Sequence, residues 1–417
     1  MAALISLILA LVGVPLFAVM GLASIISHKQ ADIDLLAIII SFYELSTTPL
    51  LQALPLFAFG GYMLAHSRAP DRLMRLSNAV LGWLPGGLAI VAVIAASILT
   101  ALTGASGVTI VALGGLLLPV LQQQRYEEKF SLGVITTGGS LGLLFAPSLP
   151  IILYGVVSQT NTEHLFRGGF LPGCMIIIAL SLYCCFRGWR DNVPRRDFDW
   201  GELWRSLWAA KWELPLPVII VVGIYRGFFA ISEAAVVATA YILLVEIVIT
   251  RDIRLRQVGR IARESMGLIG GILIILGITM AVNNVIIDAE VPEKIFERIS
   301  PYMVNKYAFL VALNAFLLVV GCMIDIYAAI VLVVPLIYPI AMAFGINDVH
   351  LGIIFLTNLG IGYATPPVGI NLFIASIRFN QPVLKLYWAC IPFILLLLVL
   401  LGIITFVPKL TLLLVAE

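Results

Sequence analysis

The run GGLAIVAVIAASILTALTGASGVTIVALGGLLLPVL, residues 86–121, decides how the chain folds. Its 36 residues carry no charge. A crossing helix needs about 20 apolar residues, so the run is too long for one crossing. Its middle, Thr103-Gly104-Ala105-Ser106-Gly107, is small and polar. That pattern predicts a re-entrant hairpin, a helix that enters, turns at mid-membrane and leaves on the same side. Two full crossings joined by a tight loop are the alternative. The run 306–345, with Gly321-Cys322-Met323-Ile324-Asp325 at its middle, reads the same way.

The rest of the chain has the same character. Of 417 residues, 61% are hydrophobic and 12% charged, and the mean hydropathy is +1.08. Soluble domains carry about 25% charged residues, so a water-soluble enzyme and a disordered chain are both excluded. The fold class expected is an all-α polytopic membrane protein. A net charge of +2 leaves no footprint for nucleic acid. The five cysteines form no CxxC and read as small hydrophobes. The run Met1 to Ile26 lacks a basic flank and is long enough to span, so it reads as a retained helix rather than a cleaved signal.

Apolar runs fall at about 1–27, 35–65, 86–121, 131–160, 168–186, 214–230, 234–250, 264–288, 306–345, 351–377 and 387–416. Two are interrupted by proline. Gly142 to Pro150 breaks 131–160, and Gly362 to Gly369 breaks 351–377. Proline removes a helix donor and forbids helical geometry before it, so both should be broken helices. With two hairpins, nine crossings and an internal N-terminus, the cytoplasmic segments are 66–82, 122–130, 187–211, 251–263 and 378–386. They hold 18 of the 25 Lys and Arg residues, as the positive-inside rule requires. Trp200, Trp204, Trp208 and Trp212 recur every four residues. They predict an amphipathic helix over 197–212 lying in the lipid interface, or a partner-binding face.

The two halves carry one order of features: span, charged arm (66–82, 289–305), hairpin, broken helix, span. Gly60-x-x-Met63 recurs as Gly277-x-x-Met280. Pro70 with Arg75-Leu76-Ser77 recurs as Pro292 with Arg298-Ile299-Ser300. Pro119, Gly142 and Pro147 recur at an offset of 220 as Pro339, Gly362 and Pro367. The charge count puts the first arm inside and the second outside, so the repeats are inverted. Inverted repeats with discontinuous helices are a mark of secondary transporters.

Four half-helices start at the breaks, after Gly107, Ser148, Asp325 and Val368, and their N-termini suit an anion. Unpaired carbonyls, the hydroxyls of Thr103, Ser106 and Thr365, and the Asp325 carboxylate suit a hard cation such as Na⁺. Asp325, an ionisable group at membrane depth, is functional by default; it also fits as a helix cap. Ser106 and Thr109 are open to a reading as mere caps, and Asn358 and Asn371 to one as helix bridges. Glu44, Glu233 and Glu246 are expected to snorkel or pair, Glu233 with Arg226. No Lys or Arg is expected at the midplane, so an anion would depend on co-bound cations. Gly104-Ala105-Ser106-Gly107 also matches the G-x-S-G of rhomboid intramembrane proteases. A serine nucleophile needs a base, and His28, His66, His164 and His350 are all expected in loops.

The runs TGASGVTIVALGGLLLP (103–119), SLGLLFAPSLPIILYGVVSQ (140–159), GYATPPVGINLF (362–373) and ALPLFAFGGYMLA (53–65) resemble the large permease subunit of tripartite ATP-independent periplasmic (TRAP) transporters, C4-dicarboxylate type. The resemblance covers nearly the whole chain. It implies an elevator-type, Na⁺-coupled importer in the bacterial inner membrane. Its partners would be a small four-helix membrane subunit and a periplasmic solute-binding protein delivering an organic acid anion. It implies no enzyme activity. One Na⁺ site would use Thr103, Gly104, Ser106, Gly142, Pro147 and Ser148; the other Gly321, Asp325, Thr365, Pro367 and Gly369. Substrate would meet Ser106, Thr109, Ser148, Asn358 and Asn371. The chain reads Ala146-Pro147-Ser148 where the family usually has Pro-Pro-Ser. Ser376-Ile377-Arg378-Phe379-Asn380 with Pro382 looks like the variant of relatives that carry small acids. The organisation implied is N-terminal scaffold helices 1–65, cytoplasmic arm 66–82 and a first transport half 83–160. Connecting and scaffold helices 161–288, external arm 289–305, second transport half 306–377 and C-terminal helix 378–417 follow. A stand-alone Na⁺/dicarboxylate or citrate symporter of related architecture is the alternative.

Overall fold

The fold is a computed structural model that describes residues 14–30, 33–194, 197–299 and 305–415. Among these residues the regular structure is all helical, with no strand. Two N-terminal helices, α1 (Leu16–Gln30) and α2 (Leu36–Thr47), precede the first repeat. That repeat runs α3 (Pro49–His66), arm α4 (Ala69–Leu81) and hairpin helices α5 (Gly87–Thr103) and α6 (Ser106–Gln123). A broken helix follows, α7 (Glu128–Gly138) and α8 (Leu149–Ser158), and then α9 (Thr162–Arg190). Short α10 (Trp200–Ala209), α11 (Pro215–Tyr225) and α12 (Ile231–Leu243) connect to the second repeat. It repeats the order as α13 (Leu255–Asp288), arm α14 (Val291–Ile299), hairpin helices α15 (Lys306–Met323) and α16 (Ile326–Ala343), broken helix α17 (Asp348–Gly362) and α18 (Ile370–Phe379), and α19 (Val383–Phe406). A last turn, α20, covers Lys409–Leu412.

Local chemistry sets these boundaries. Asn161, Asn305 and Asn347 each place a side-chain oxygen on two free N–H groups and so start α9, α15 and α17. The helix breaks fall on the proline pairs, and the Ala146–Pro147 and Pro366–Pro367 bonds are both cis. Among the described residues seven helices are long and apolar enough to cross a membrane, or eight if the α7–α8 pair, bent by 46°, is one span.

Several boundaries differ from the sequence reading, three of them at a proline or tryptophan. The run 35–65 is two helices, because Pro49 cannot extend α2 and starts α3 instead. The tryptophan helix covers only 200–209, and Trp212 falls past its end. The C-terminal helix stops at Phe406, just ahead of Pro408. Of the first expected span only α1 is described; residues 1–13 lie outside the described residues, as do 300–304 of the second arm. Trp200, Trp204 and Trp208 are exposed on one face of α10, as an interfacial helix requires.

The repeats interlock by exchange. Helix α6 of the first hairpin packs on α18 of the second repeat, and α16 of the second hairpin packs on α8 of the first. Likewise α7 packs on α19, and α17 on α9. Helices α7, α8 and α17 are buried almost all round, which suits their lack of a polar face. The first arm is pinned by charge. Arg72 on α4 reaches Glu213 at 2.5 Å, Asp252 at 2.6 Å and Glu246 at 3.6 Å. Burial works against the charge of this guanidinium, but the Asp252 and Glu213 carboxylates outweigh it and hold its pKa above the usual arginine value. Glu246 is thus fully buried and paired, not snorkelling.

Candidate functional site

The two hairpin tips meet. The first turns at Gly104-Ala105, with Gly104 in the left-handed region at φ 66°. A Cβ there would lie 2.5 Å from Leu149 Cγ, so the tip is fitted to the start of α8 and only glycine suits it. The Gly104 carbonyl accepts a 2.6 Å hydrogen bond from the Tyr327 hydroxyl of the other hairpin. Ser106 donates to Asn371 Oδ1 at 2.8 Å, a second link between repeats. The residue capping α6 is Ala105, and it makes no side-chain cap bond. Ser106 is therefore not a helix cap; its hydroxyl is committed to Asn371.

The second tip is built on Asp325. One carboxylate oxygen caps α16 by accepting from Tyr327 N at 3.0 Å, and the other accepts from the Tyr363 hydroxyl at 2.7 Å. The Tyr363 oxygen in turn accepts from Ile326 N at 2.6 Å. Gly321 and Gly362 bring α15 and α17 into backbone contact, since a Cβ on Gly362 would sit 2.5 Å from the Gly321 carbonyl carbon. Gly369 N donates to the Cys322 carbonyl at 2.8 Å and closes the broken helix onto the tip. Each tip thus packs against the break of its own repeat.

Between the tips opens a cavity of about 680 Å³, lined by Gly104, Ser106, Asp325, Tyr363 and Arg378 among others. The remaining expected site residues divide clearly. Thr103 is buried, and its hydroxyl folds back on the Ala105 turn. Ser148 is buried, and its hydroxyl has no hydrogen-bond partner among the described residues. Pro147 is buried beside it, while Gly142 packs on the Ser97 carbonyl. Thr365 bonds back to the Ile361 carbonyl at 2.8 Å, and the Pro367 carbonyl accepts from Tyr387. Thr109 lies 2.7 Å from Thr100, which donates to the Gly139 carbonyl at 2.8 Å. It ties α5, α6 and α7 together and does not line the cavity. Asn358 is a helix bridge: it donates to Asn314 at 2.6 Å, and Asn314 donates to Thr405 at 3.0 Å.

Several expectations need correction. The histidines are not in loops. His66 ends α3 and lies 3.3 Å from Glu264, and His350 is buried in α17 beside Thr411 and Thr405; His28 and His164 lie within α1 and α9. None of them hydrogen-bonds Ser106, which leaves the serine without a base. Glu233 does not pair with Arg226 but accepts from Ala230 N at 2.9 Å and caps α12. Arg378, expected in the cytoplasmic segment that follows the second broken helix, also lines the cavity. Tyr327 and Tyr363 escaped sequence reasoning. Their only signal is position, Tyr327 in the first turn after Asp325 and Tyr363 one residue past the glycine that opens the second break.

The profile of the family described as "Tripartite ATP-independent periplasmic transporter, DctM component" matches residues 3–410. The isethionate TRAP transporter permease protein DctMQ of Oleidesulfovibrio alaskensis is 33% identical over 404 residues, covering 95% of this chain and 63% of that protein. The C4-dicarboxylate TRAP transporter large permease protein DctM of Pseudomonas aeruginosa is 33% identical over 376 residues, covering 89% of this chain and 88% of that one. In structure the chain is similar to the YdaH transporter of Alcanivorax borkumensis, with a TM-score of 0.64 at 15% identity, covering 88% of this chain and 86% of that one. Hairpins of two repeats meeting at one cavity and a family match along nearly the whole length agree: the chain belongs to the DctM family of TRAP transporter large permeases, integral inner-membrane secondary transporters rather than enzymes.

Proposed function

We propose that this permease imports a small organic acid anion with Na⁺, by elevator-type movement of the two hairpins and broken helices against the remaining helices. A small four-helix membrane subunit and a periplasmic binding protein that delivers the anion complete the system. The observation that carries this reading is the cavity between the tips, where a carboxylate, Asp325, faces the half-helix starting at Ser106. A carboxylate and kinked-helix carbonyls suit a hard cation, and a helix N-terminus suits an anion. The buried, partnerless hydroxyl of Ser148 supports a ligand at the first break.

Two relatives support this substrate class, one named for isethionate and one for C4-dicarboxylates, while two others are named for ectoine. Isethionate and the C4-dicarboxylates are small anions. The greater length of the DctMQ relative, of which this chain spans 63%, supports a second membrane component. The test is uptake into proteoliposomes holding both membrane subunits, with the binding protein outside. Succinate or isethionate should accumulate only with an inward Na⁺ gradient and only with the binding protein. Uptake independent of Na⁺ would refute the coupling, and uptake without the binding protein would favour the stand-alone symporter.

A further inference from the structure

We propose that Arg378 is the anion-recognition residue of the cavity, receiving the carboxylate or sulfonate of the substrate, and that Gly115 is the slot that positions it. This rests on the organic-anion reading above and deepens it.

Arg378 sits in the last turn of α18 and lines the same cavity as Ser106 and Asp325. Its Nε donates to the Val111 carbonyl of α6 at 3.1 Å. That bond uses one of the five guanidinium N–H groups. Among the described residues Arg378 has no carboxylate partner, unlike Arg72, Arg75, Arg167 and Arg187. The terminal nitrogens are therefore open to a ligand, and their planar fork suits a carboxylate or sulfonate held by two bonds.

The side chain is also placed. A Cβ on Gly115 would lie 2.0 Å from Arg378 Nη2. The guanidinium thus lies against α6 where a side chain is missing, tethered by Val111. The cavity is also lined by His66 and Glu264, which pair with each other at 3.3 Å. It is lined too by Asp325, which repels an anion until a cation joins it. An anion entering the cavity is therefore met by one unpaired positive group. Charge balance does not rest on co-bound cations alone.

The experiment measures binding and transport separately. Thermal unfolding of the purified permease is followed with succinate and with isethionate as probes, since ligand that binds only the folded state raises the melting temperature. Wild type should be stabilised by at least one probe. Arg378→Gln should weaken that binding about tenfold or more, the scale of a charged hydrogen-bonded contact. Arg378→Lys should recover part of it, and Gly115→Ala, which displaces the guanidinium, should weaken it with the arginine intact. Unchanged binding in Arg378→Gln, or no stabilisation of wild type by either anion, overturns the proposal. Loss of anion binding in Arg378→Gln together with wild-type uptake that ignores Na⁺ would sink the coupling reading and leave this one standing.

Discussion

The two breaks occupy equivalent places in the repeats and live in different surroundings. The first is enclosed. Pro147 and Ser148 are buried, Gly104 is pressed onto Leu149, and α5 packs along α6. The second is open. Pro366, Pro367 and Asp325 are exposed, and α15 packs on α17 rather than along α16. The arms differ too. Arg72 and three carboxylates pin α4, whereas α14 is held by Phe296 on Phe344 of the segment that follows α16. One sequence pattern, used twice, thus yields one closed unit and one open unit. Alternating access needs such a difference, because a site facing each side in turn cannot have both ends alike at once.

The largest expected effect tests the arms. Arg72→Ala leaves three buried carboxylates without their cation and should cost about 3–5 kcal/mol. Lys294→Ala in the second arm removes an exposed side chain and should fall within about 0.5 kcal/mol. Thermal unfolding in detergent compares them, and equal effects would mean that the arms are held alike.

Next come the tips. Gly104→Val forces a β-branched residue to φ 66° and drives it into Leu149. Left-handed strain of about 1–2 kcal/mol per residue and overpacking of about 1–3 kcal/mol add, so transport should fall by more than about tenfold. The second tip turns at Ile324, whose φ of −127° is ordinary extended backbone. Ile324→Val should transport within about twofold of wild type on this account. If Gly104→Val transports normally, the first turn is misplaced.

A smaller effect separates the two ends of the cavity. Asp325→Asn keeps the size and removes the charge, and should lower the apparent Na⁺ affinity by one to two decades, at about 1.4 kcal/mol each. Ser106→Ala removes one neutral hydrogen bond, worth about 0.5–1.5 kcal/mol, and should change it tenfold at most. Na⁺ titrations of uptake rank them. Unchanged Na⁺ dependence in Asp325→Asn would leave the carboxylate as a cap alone.

Much of this fold was legible in the sequence because the bilayer fixes a length scale. Runs too long for one helix, with glycine or aspartate at mid-length, foretold both hairpins, and proline pairs foretold both breaks. The division at Thr48-Pro49 was harder to read, because one proline inside an apolar run kinks some helices and starts others; Pro55 and Pro172 sit within continuous ones. Candidate residues that stand out by charge, such as Asp325, were visible. Those set by tertiary approach were not: Tyr327 bonds a residue 223 positions away, and Arg378 looked like part of a charged loop until α18 carried it over α6. Asn358 shows the converse, a polar residue whose depth in a span suggested a site and whose partners make it a bridge.

Inversion of the two repeats puts the two arms on opposite sides of the membrane, and the arms report it most directly. Gln257 at the start of α13 and Glu293 on α14 are both exposed in the fold. Each is replaced by cysteine in a background without the native cysteines, and an impermeant thiol reagent is added outside intact cells. Inverted repeats predict that Glu293→Cys is labelled and that Gln257→Cys reacts only after the membrane is permeabilised. The opposite pattern, or labelling of both from outside, would contradict the inversion.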